Sequence, residues 1–146
     1  MTPAPLPVDD GLPEQPAVLL VDDDEVNLLF TALALRERGF LITEAAGGEQ
    51  ALKLLRQQVF DVVLLDAMMP GLDGFDTCRM LRRMPGLENL PVLMLTGLDD
   101  DASITKAYHV GATDFFVKSN QWSLLDGRLR YLLRASRTWI ELERSR

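Results

Sequence analysis

The sequence has very little cysteine and histidine. Its 146 residues include one cysteine, Cys78, and one histidine, His109. A single cysteine cannot form an internal disulfide, so nothing indicates an oxidising compartment. Cys78 shares a predicted helical face with Phe75 and Leu81 and is interpreted as a core residue. His109 lies near the end of a predicted helix, where positive charge is favourable, and is interpreted as a surface residue.

Long hydrophobic runs are absent as well. The apolar runs span four to six residues, whereas about 20 are needed to cross a bilayer. The N-terminus has acids and prolines where a secretory signal needs a basic start and an apolar block. With 47% hydrophobic and 25% charged residues, the composition is that of an ordinary globular domain. We therefore expect one cytoplasmic domain without a membrane partner.

Basic residues are scarce outside the C-terminal end. Residues 1–127 contain 9 Lys and Arg against 20 Asp and Glu, whereas residues 128–146 contain 6 Arg against 2 Glu. The acidic body should repel nucleic acid, so we expect no direct nucleic-acid binding by the folded domain. The arginines at the end are interpreted as the solvated face of a helix.

Regular structure is predicted to start after a proline-rich leader. Residues 1–16 contain five prolines and several acids, and such a segment is expected to be disordered. Beyond it, short apolar runs alternate with segments of helical periodicity. The predicted strands are residues 18–21, 40–42, 62–65, 92–95 and 114–117. The predicted helices are residues 25–38, 48–57, 75–83, about 100–110 and from 123 onward.

This alternation predicts an α/β fold with one doubly wound, five-stranded parallel sheet and five helices. The apolar residues of the first helix lie at helical spacing: Val26, Leu29, Phe30, Leu33 and Ala34. The last helix continues past the expected end of the domain, because coiled-coil spacing runs from Leu125 through Trp139 to Glu143. We assign residues 17–133 to the folded domain and residues 134–146 to a helical extension, which suits a linker or a homodimer.

Polar side chains follow four of the five strands. They are Asp22 and Asp23, Asp66, Thr96 and Lys118. The ends of parallel strands meet at one edge of the sheet, so these side chains should converge there. Clustered carboxylates repel one another unless a cation lies among them, and oxygen ligands without histidine or thiolate favour Mg²⁺ or Mn²⁺. A hydroxyl and an ammonium opposite the metal suit a phosphoryl group, which a carboxylate can accept as an acyl phosphate.

These motifs resemble the receiver domains of two-component response regulators, including the chemotaxis regulators. The matching residues are Val21-Asp22-Asp23, Asp66 with Met69-Pro70 and Asp73-Gly74, Thr96-Gly97, and Lys118. The resemblance covers about residues 17–135. It implies a flavodoxin-like sheet of order 2-1-3-4-5 in a signalling protein that is not an enzyme beyond catalysing its own phosphorylation and dephosphorylation.

The resemblance also implies a role for each matching residue. Asp66 would accept a phosphoryl group from a sensor histidine kinase or a histidine phosphotransfer protein, as in a phosphorelay. Thr96 and Lys118 would hold the phosphoryl oxygens, and Thr96 and Phe115 would switch the face formed by the fourth helix, fifth strand and fifth helix. The implied Mg²⁺ ligands are Asp23, Asp66 and the backbone carbonyl of Met68, with Asp22 acting through water.

The sequence departs from the family pattern at three places. Ser119 follows Lys118 where the family usually has proline in a cis bond. Phe115 lacks the hydroxyl of the commoner tyrosine, so a switch at this position must work by packing. Met68 and Leu98 are apolar where the family places residues that flank the attacking water, so we expect slow self-dephosphorylation.

Two other functions are alternatives. The segment from Asp22 to Val26 fits the DxDxV motif of haloacid-dehalogenase-like phosphatases, with Asp22 as nucleophile and Asp24 as general acid, but this reading leaves Asp66 unexplained. A phosphorylation-independent interaction module leaves the whole set of polar residues unexplained. Residues 129–137 weakly resemble linkers that join receivers to cyclic-di-GMP enzymes, so an output domain of that kind is one expected C-terminal partner.

Overall fold

The structure, a computed structural model, describes residues 15–97, 101–119 and 121–144, except the side chains of 139–141 and 144. In this part of the chain, five strands alternate with five helices, as the α/β prediction requires. The strands are β1 Ala17–Val21, β2 Leu41–Ala45, β3 Val62–Asp66, β4 Val92–Thr96 and β5 Asp114–Val117. The helices are α1 Glu25–Glu37, α2 Gly48–Gln57, α3 Gly74–Arg82, α4 Asp101–His109 and α5 Trp122–Arg144.

The strands form one parallel sheet in the order β2-β1-β3-β4-β5, which confirms the order implied by the family resemblance. The strands β3 and β4 lie inside the sheet, and each of their residues is buried. Such strands have continuous apolar runs because helices cover both of their faces. The run in β3 ends on Asp66, which is paired with Leu95 of β4.

The core has two layers, one on each face of the sheet. Alternate residues of a strand point to opposite faces, so Val63 and Leu65 pack with α2, α3 and α4, whereas Val62 and Leu64 pack with α1 and α5. Cys78 lies in the first layer and is fully buried, as predicted. Burial also raises the pKa of its thiol, which disfavours the reactive thiolate.

The strand β2 is longer than the predicted 40–42. It continues through Thr43 and Glu44, which the short apolar run did not include. Because β2 is the edge strand, polar side chains can remain partly solvated there. Glu44 pairs with Arg36 of α1 at 3.3 Å near the surface.

The apolar spacing of α1 predicts the helix correctly but does not predict its buried side. Helical spacing would place Val26, Leu29, Phe30 and Leu33 in the core, yet their exposed fractions are 59%, 51%, 59% and 47%. We call these four residues the α1 stripe. Of the apolar residues predicted at helical spacing only Ala34 is buried, together with Ala32 and Leu35. Small alanines let α1 lie close to the sheet, which leaves its bulkier side chains in solvent.

The helix α5 has a packed half and a protruding half. Its buried leucines are Leu125, Leu129, Leu132 and Leu133. After Leu133 the described side chains are exposed or half-buried, and the helix continues to Arg144. The predicted leader is residues 1–16, of which 1–14 lie outside the described residues, and the side chain of the predicted coiled-coil position Trp139 is not described, so both remain predictions. Among the described residues, no helix is long and apolar enough to cross a membrane.

Candidate functional site

The sheet brings the predicted polar residues together at the carboxyl ends of its strands. Asp66 and Thr96 are the last residues of β3 and β4, and Lys118 directly follows β5. The Lys118 N–H donates to the Thr96 carbonyl at 2.7 Å, which fixes the end of β5 against β4. The Asp22 N–H donates to the Ala45 carbonyl at 3.1 Å, which fixes the chain after β1. Backbone pairing therefore positions each side chain.

Three carboxylates cluster at this edge. Oxygen atoms of Asp22, Asp23 and Asp66 all lie within 4.8 Å of one another. Asp22 and Asp66 are buried, whereas Asp23 is exposed. Three converging oxygen ligands, one open to solvent, match the preference of Mg²⁺ for carboxylates and retained waters. The residues present fit the metal that the resemblance implies.

Lys118 bridges two of these carboxylates. Its Nζ lies 3.1 Å from Oδ2 of Asp66 and 3.5 Å from Oδ2 of Asp22. Burial would lower the pKa of Lys118, but the charges of Asp66 and Asp22 outweigh burial and raise it. The side chain is therefore an ammonium ion held over Asp66, where it can meet an anionic group.

Burial dominates the ionisation of Asp66. Burial raises the pKa of this carboxyl, whereas the ammonium of Lys118 lowers the pKa and the negative charge of Asp22 raises it. Together these effects raise the pKa of Asp66 to about 6. The shift runs against ionisation because the ammonium of Lys118 does not offset burial and the negative charge of Asp22. A divalent cation would supply the missing positive charge, which is a second reason that the cluster fits Mg²⁺.

Thr96 and Phe115 lie on neighbouring strands. Thr96 is 1% exposed at the end of β4. Phe115 is paired with Met94, two residues before Thr96, and is half-buried against the layer formed by α2, α3 and α4. Because residues two apart share a face, Thr96 and Phe115 are on the same side of the sheet.

The loop after β3 carries Met68, whose side chain is 60% exposed beside Asp66. The Met68 N–H points to Oδ1 of Asp66 at 3.4 Å. At the other end of the loop, Asp73 caps α3 by accepting from the Asp76 N–H at 2.8 Å. The second predicted water-flanking residue, Leu98, lies outside the described residues.

At Ser119, where the sequence departs from the family pattern, the peptide bond has the usual geometry. The bond between Lys118 and Ser119 is trans. The Ser119 hydroxyl accepts a hydrogen bond from the Gln121 N–H at 3.2 Å, just before α5 begins. Serine therefore closes this loop with a side-chain hydrogen bond where the family usually has proline.

Asp24 caps a helix, which does not suit the general-acid role that the phosphatase alternative gives to this residue. Its Oδ1 accepts from the N–H groups of Val26 and Asn27 at 3.0 and 3.1 Å, which makes it the N-cap of α1. A capping carboxylate is held as an acceptor, so the geometry does not favour its use as a general acid.

A cavity beside the site was not predicted from the sequence. It has a volume of about 260 Å³ and opens between α1 and α5, next to Asp22 and Lys118. Its walls include Asn27 and Thr31 of α1 and Trp122 of α5. These residues come from distant segments, so only the packing of the two helices reveals them.

Comparison with known proteins identifies the same kind of domain. Residues 18–130 match the family model described as response regulator receiver domain. The chain is 41% identical over 119 residues to the transcriptional regulatory protein AfsQ1 of Streptomyces coelicolor, covering 82% of this chain and 52% of that protein. It is 35% identical over 117 residues to the response regulator PleD of Caulobacter vibrioides, covering 80% of this chain and 26% of that protein.

A solved structure shows the same fold. The chemotaxis protein CheY4 of Vibrio cholerae superposes with a TM-score of 0.78 at 29% identity, covering 81% of this chain and 98% of that chain. The chain covers almost the whole length of CheY4. It spans only about half the length of AfsQ1 and about a quarter of the length of PleD.

Proposed function

The chain belongs to the response regulator receiver family, and we propose that it accepts a phosphoryl group on Asp66 in a Mg²⁺-dependent reaction. The observation that carries the proposal is the arrangement of Asp66, which lies buried among two further carboxylates with Lys118 at 3.1 Å. In this proposal Asp66 is the nucleophile, the carboxylate cluster is the metal site and Lys118 is the cation for the phosphoryl oxygens. We propose that the domain acts in the cytoplasm as a phosphorylated signalling module that catalyses only its own phosphorylation and dephosphorylation.

The proposed reaction is an in-line displacement at phosphorus. A carboxylate oxygen of ionised Asp66 forms a bond to phosphorus, while the P–N bond of a phosphohistidine breaks and the imidazole keeps the electron pair. Lys118 stabilises the transferred phosphoryl oxygens as an ammonium, and the Thr96 hydroxyl donates to another of them. Bound Mg²⁺ would supply charge neutralisation. We assign Asp23, Asp66 and the Met68 carbonyl as its ligands, with Asp22 through water and Mn²⁺ as a substitute.

The proposed donor is a sensor histidine kinase or a histidine phosphotransfer protein, and the α1 stripe is its proposed docking surface. The stripe begins two residues after Asp24, so it adjoins the carboxylate cluster. Four large apolar side chains about half exposed on one helix are unusual unless a partner covers them. An amphipathic helix of the donor could bury them and so bring its phosphohistidine to Asp66.

We propose that phosphorylation is transmitted through α4, β5 and α5. These elements are joined at Asp114, which accepts from the Tyr108 hydroxyl at 3.2 Å and from Arg128 at 2.7 Å. Movement of Thr96 toward the phosphoryl group would open space for Phe115 and disturb this network from within. The switch would rely on packing, because Phe115 has no hydroxyl.

The proposed output route is α5. The helix leaves the sheet after Leu133 and continues to Arg144, and relatives such as AfsQ1 are about twice as long as the matched region. We propose that the protruding half connects the receiver to an output domain, such as a cyclic-di-GMP enzyme, or pairs with a second copy as a homodimer.

The phosphatase with Asp22 as nucleophile and the phosphorylation-independent module stay as alternatives that one experiment separates. Wild type, Asp66→Asn and Asp22→Asn are treated with acetyl phosphate and Mg²⁺, and the acyl phosphate is mapped by intact mass. The receiver function requires the label on Asp66, the phosphatase requires it on Asp22, and the interaction module requires neither.

A further inference from the structure

Gly74 lies in close contact with the backbone that carries Asp66. A Cβ atom at this position would overlap the carbonyl oxygen of Asp66 and lie 2.7 Å from the Cα of Ala67. Cβ atoms essentially never lie within 3.0 Å of a heavy atom outside their own and the adjoining residues. The obstructing atoms belong to the backbone of a buried strand end, so no side-chain rotation can make room. Only glycine allows α3 to begin this close to β3.

Gly48 makes a similar contact on the other side of the same loop. A Cβ atom here would overlap the Thr77 hydroxyl oxygen and lie 2.9 Å from the Leu72 carbonyl oxygen. Thr77 is 1% exposed and donates its hydroxyl to the Asp73 carbonyl at 2.7 Å, so it has little freedom to move. The start of α2 therefore rests on the end of the loop that leads into α3.

The loop between these contacts is closed on itself. The Gly74 N–H donates to the Ala67 carbonyl at 3.0 Å, so residues 67–74 return to the strand end from which they started. Met68 is the second residue of this loop. The loop is thus held at Ala67 by Gly74 and at Leu72 by Gly48.

We propose that Gly74 and Gly48 are positioning residues for Mg²⁺ binding and phosphoryl transfer at Asp66. Neither residue touches the reacting atoms. Together they let α3 and α2 hold the loop that carries Met68 against the strand end that carries Asp66, so that the assigned Mg²⁺ ligands stay together. A side chain at Gly74 forces the start of α3 away from the end of β3, and a side chain at Gly48 displaces Leu72 and Thr77. In both cases the loop shifts, and metal affinity falls because the ligands no longer converge.

The test compares Gly74→Ala with two controls in the full chain. Gly127→Ala introduces the same methyl group into α5, where a Cβ meets nothing within 4 Å. Leu129→Ala removes a fully buried side chain from the layer on the other face of the sheet, and so lowers stability without touching the loop. Mg²⁺ affinity is measured by calorimetry, and unfolding is followed by denaturant titration.

The inference predicts that Gly74→Ala binds Mg²⁺ at least about tenfold more weakly than wild type. It also predicts a higher Mg²⁺ concentration for half-maximal labelling of Asp66 by acetyl phosphate. Leu129→Ala should keep wild-type Mg²⁺ affinity despite its lower stability. If Gly74 had only a structural role, Gly74→Ala and Leu129→Ala would change the Mg²⁺ affinity alike. If Gly74→Ala does not fold, Gly48→Ala takes its place, because its methyl group would displace the Thr77 side chain and the loop at Leu72 rather than the buried end of β3.

Wild-type Mg²⁺ affinity in the glycine variant overturns the inference, as does an equal loss of affinity in Leu129→Ala. The inference rests on the proposed function, but the two fail differently. Wild type that neither binds Mg²⁺ nor takes label on Asp66 contradicts the proposed function. If wild type binds Mg²⁺ and takes label on Asp66, and the glycine variant binds Mg²⁺ as tightly as wild type, only the role of the glycines is contradicted.

Discussion

The ammonium nitrogen of Lys118 lies 3.1 Å from Oδ2 of Asp66, across two strand ends that only the folded sheet brings together. Asp66 is 4% exposed, whereas the Lys118 side chain is 31% exposed, so solvent screens this pair only in part. The same ammonium also contacts Asp22 at 3.5 Å. Lys118 therefore partly neutralises the carboxylate pair, and in the proposed reaction it would turn to the incoming phosphoryl group.

Removing this ammonium should separate metal binding from phosphoryl transfer. Lys118→Ala is expected to slow labelling of Asp66 by acetyl phosphate by about 100-fold, the usual cost of losing one donor to a developing anion. Its Mg²⁺ affinity should rise, because a competing positive charge is gone. Stopped-flow labelling and calorimetry check the two effects. Lys53→Ala, at an exposed position on α2, is the control, and equal rates for the two variants would contradict the assigned role.

The raised pKa of Asp66 predicts a pH dependence of stability in the absence of metal. The pKa is about 6 in the folded state against 3.8 for a free carboxyl, so the folded state binds this proton more tightly than the unfolded state. Wild type should therefore lose stability as pH rises from about 4 to above 6. Asp66→Asn cannot ionise and should be more stable at pH 8 by up to roughly 3 kcal/mol.

Urea titrations of both proteins between pH 4 and pH 8, in the presence of a chelator, measure this difference. The gain from Asp66→Asn should vanish near pH 4, and Mg²⁺ should reverse it at pH 8 by stabilising wild type alone. A gain that is as large at pH 4 as at pH 8 would mean that ionisation of Asp66 is not its cause.

The exposed α1 stripe should matter for a protein donor but not for a small one. Phe30→Ser is expected to lower the kcat/KM of phosphotransfer from the cognate kinase or phosphotransfer protein by about tenfold or more. Labelling by acetyl phosphate should stay at the wild-type rate, since the side chain is 59% exposed. Val59→Ser removes another apolar side chain that is 92% exposed and serves as the control. Equal effects on both donors would count against docking on α1.

Met68 should prolong the phosphorylated state. Its exposed side chain lies beside Asp66 and cannot orient a water molecule, whereas an amide at the same position can. Met68→Asn is therefore expected to hydrolyse the acyl phosphate several-fold faster than wild type in the absence of kinase and phosphatase. Loss of label over time, followed by intact mass, gives the rates. Hydrolysis of wild type that is no slower than that of the variant would contradict the prediction.

The residues of the candidate site were predictable because they stand at ends of continuous apolar runs. The run in β3 stops abruptly at Asp66, and parallel strands must deliver such ends to one edge. Local patterns therefore sufficed to predict the sheet and to group Asp22, Asp66, Thr96 and Lys118. The family resemblance added the strand order and the expected role of each residue.

Other features depend on packing that no local pattern contains. Helical spacing alone does not indicate which side of α1 is buried, because Ala32 and Leu35 pack on the sheet while the larger Phe30 remains exposed. The end of β2 was missed because an edge strand tolerates Thr43 and Glu44. The contacts of Gly48 and Gly74 depend on how closely helices approach a strand end, so only the structure shows them.

The location of the acyl phosphate shows directly whether Asp66 accepts the phosphoryl group. Wild type, Asp66→Asn and Asp22→Asn are incubated with acetyl phosphate and Mg²⁺, and intact mass and peptide mapping locate the added phosphoryl group. We expect one phosphoryl group on Asp66 of wild type, dependent on Mg²⁺, and none on Asp66→Asn. Label retained in Asp66→Asn and lost in Asp22→Asn would contradict it.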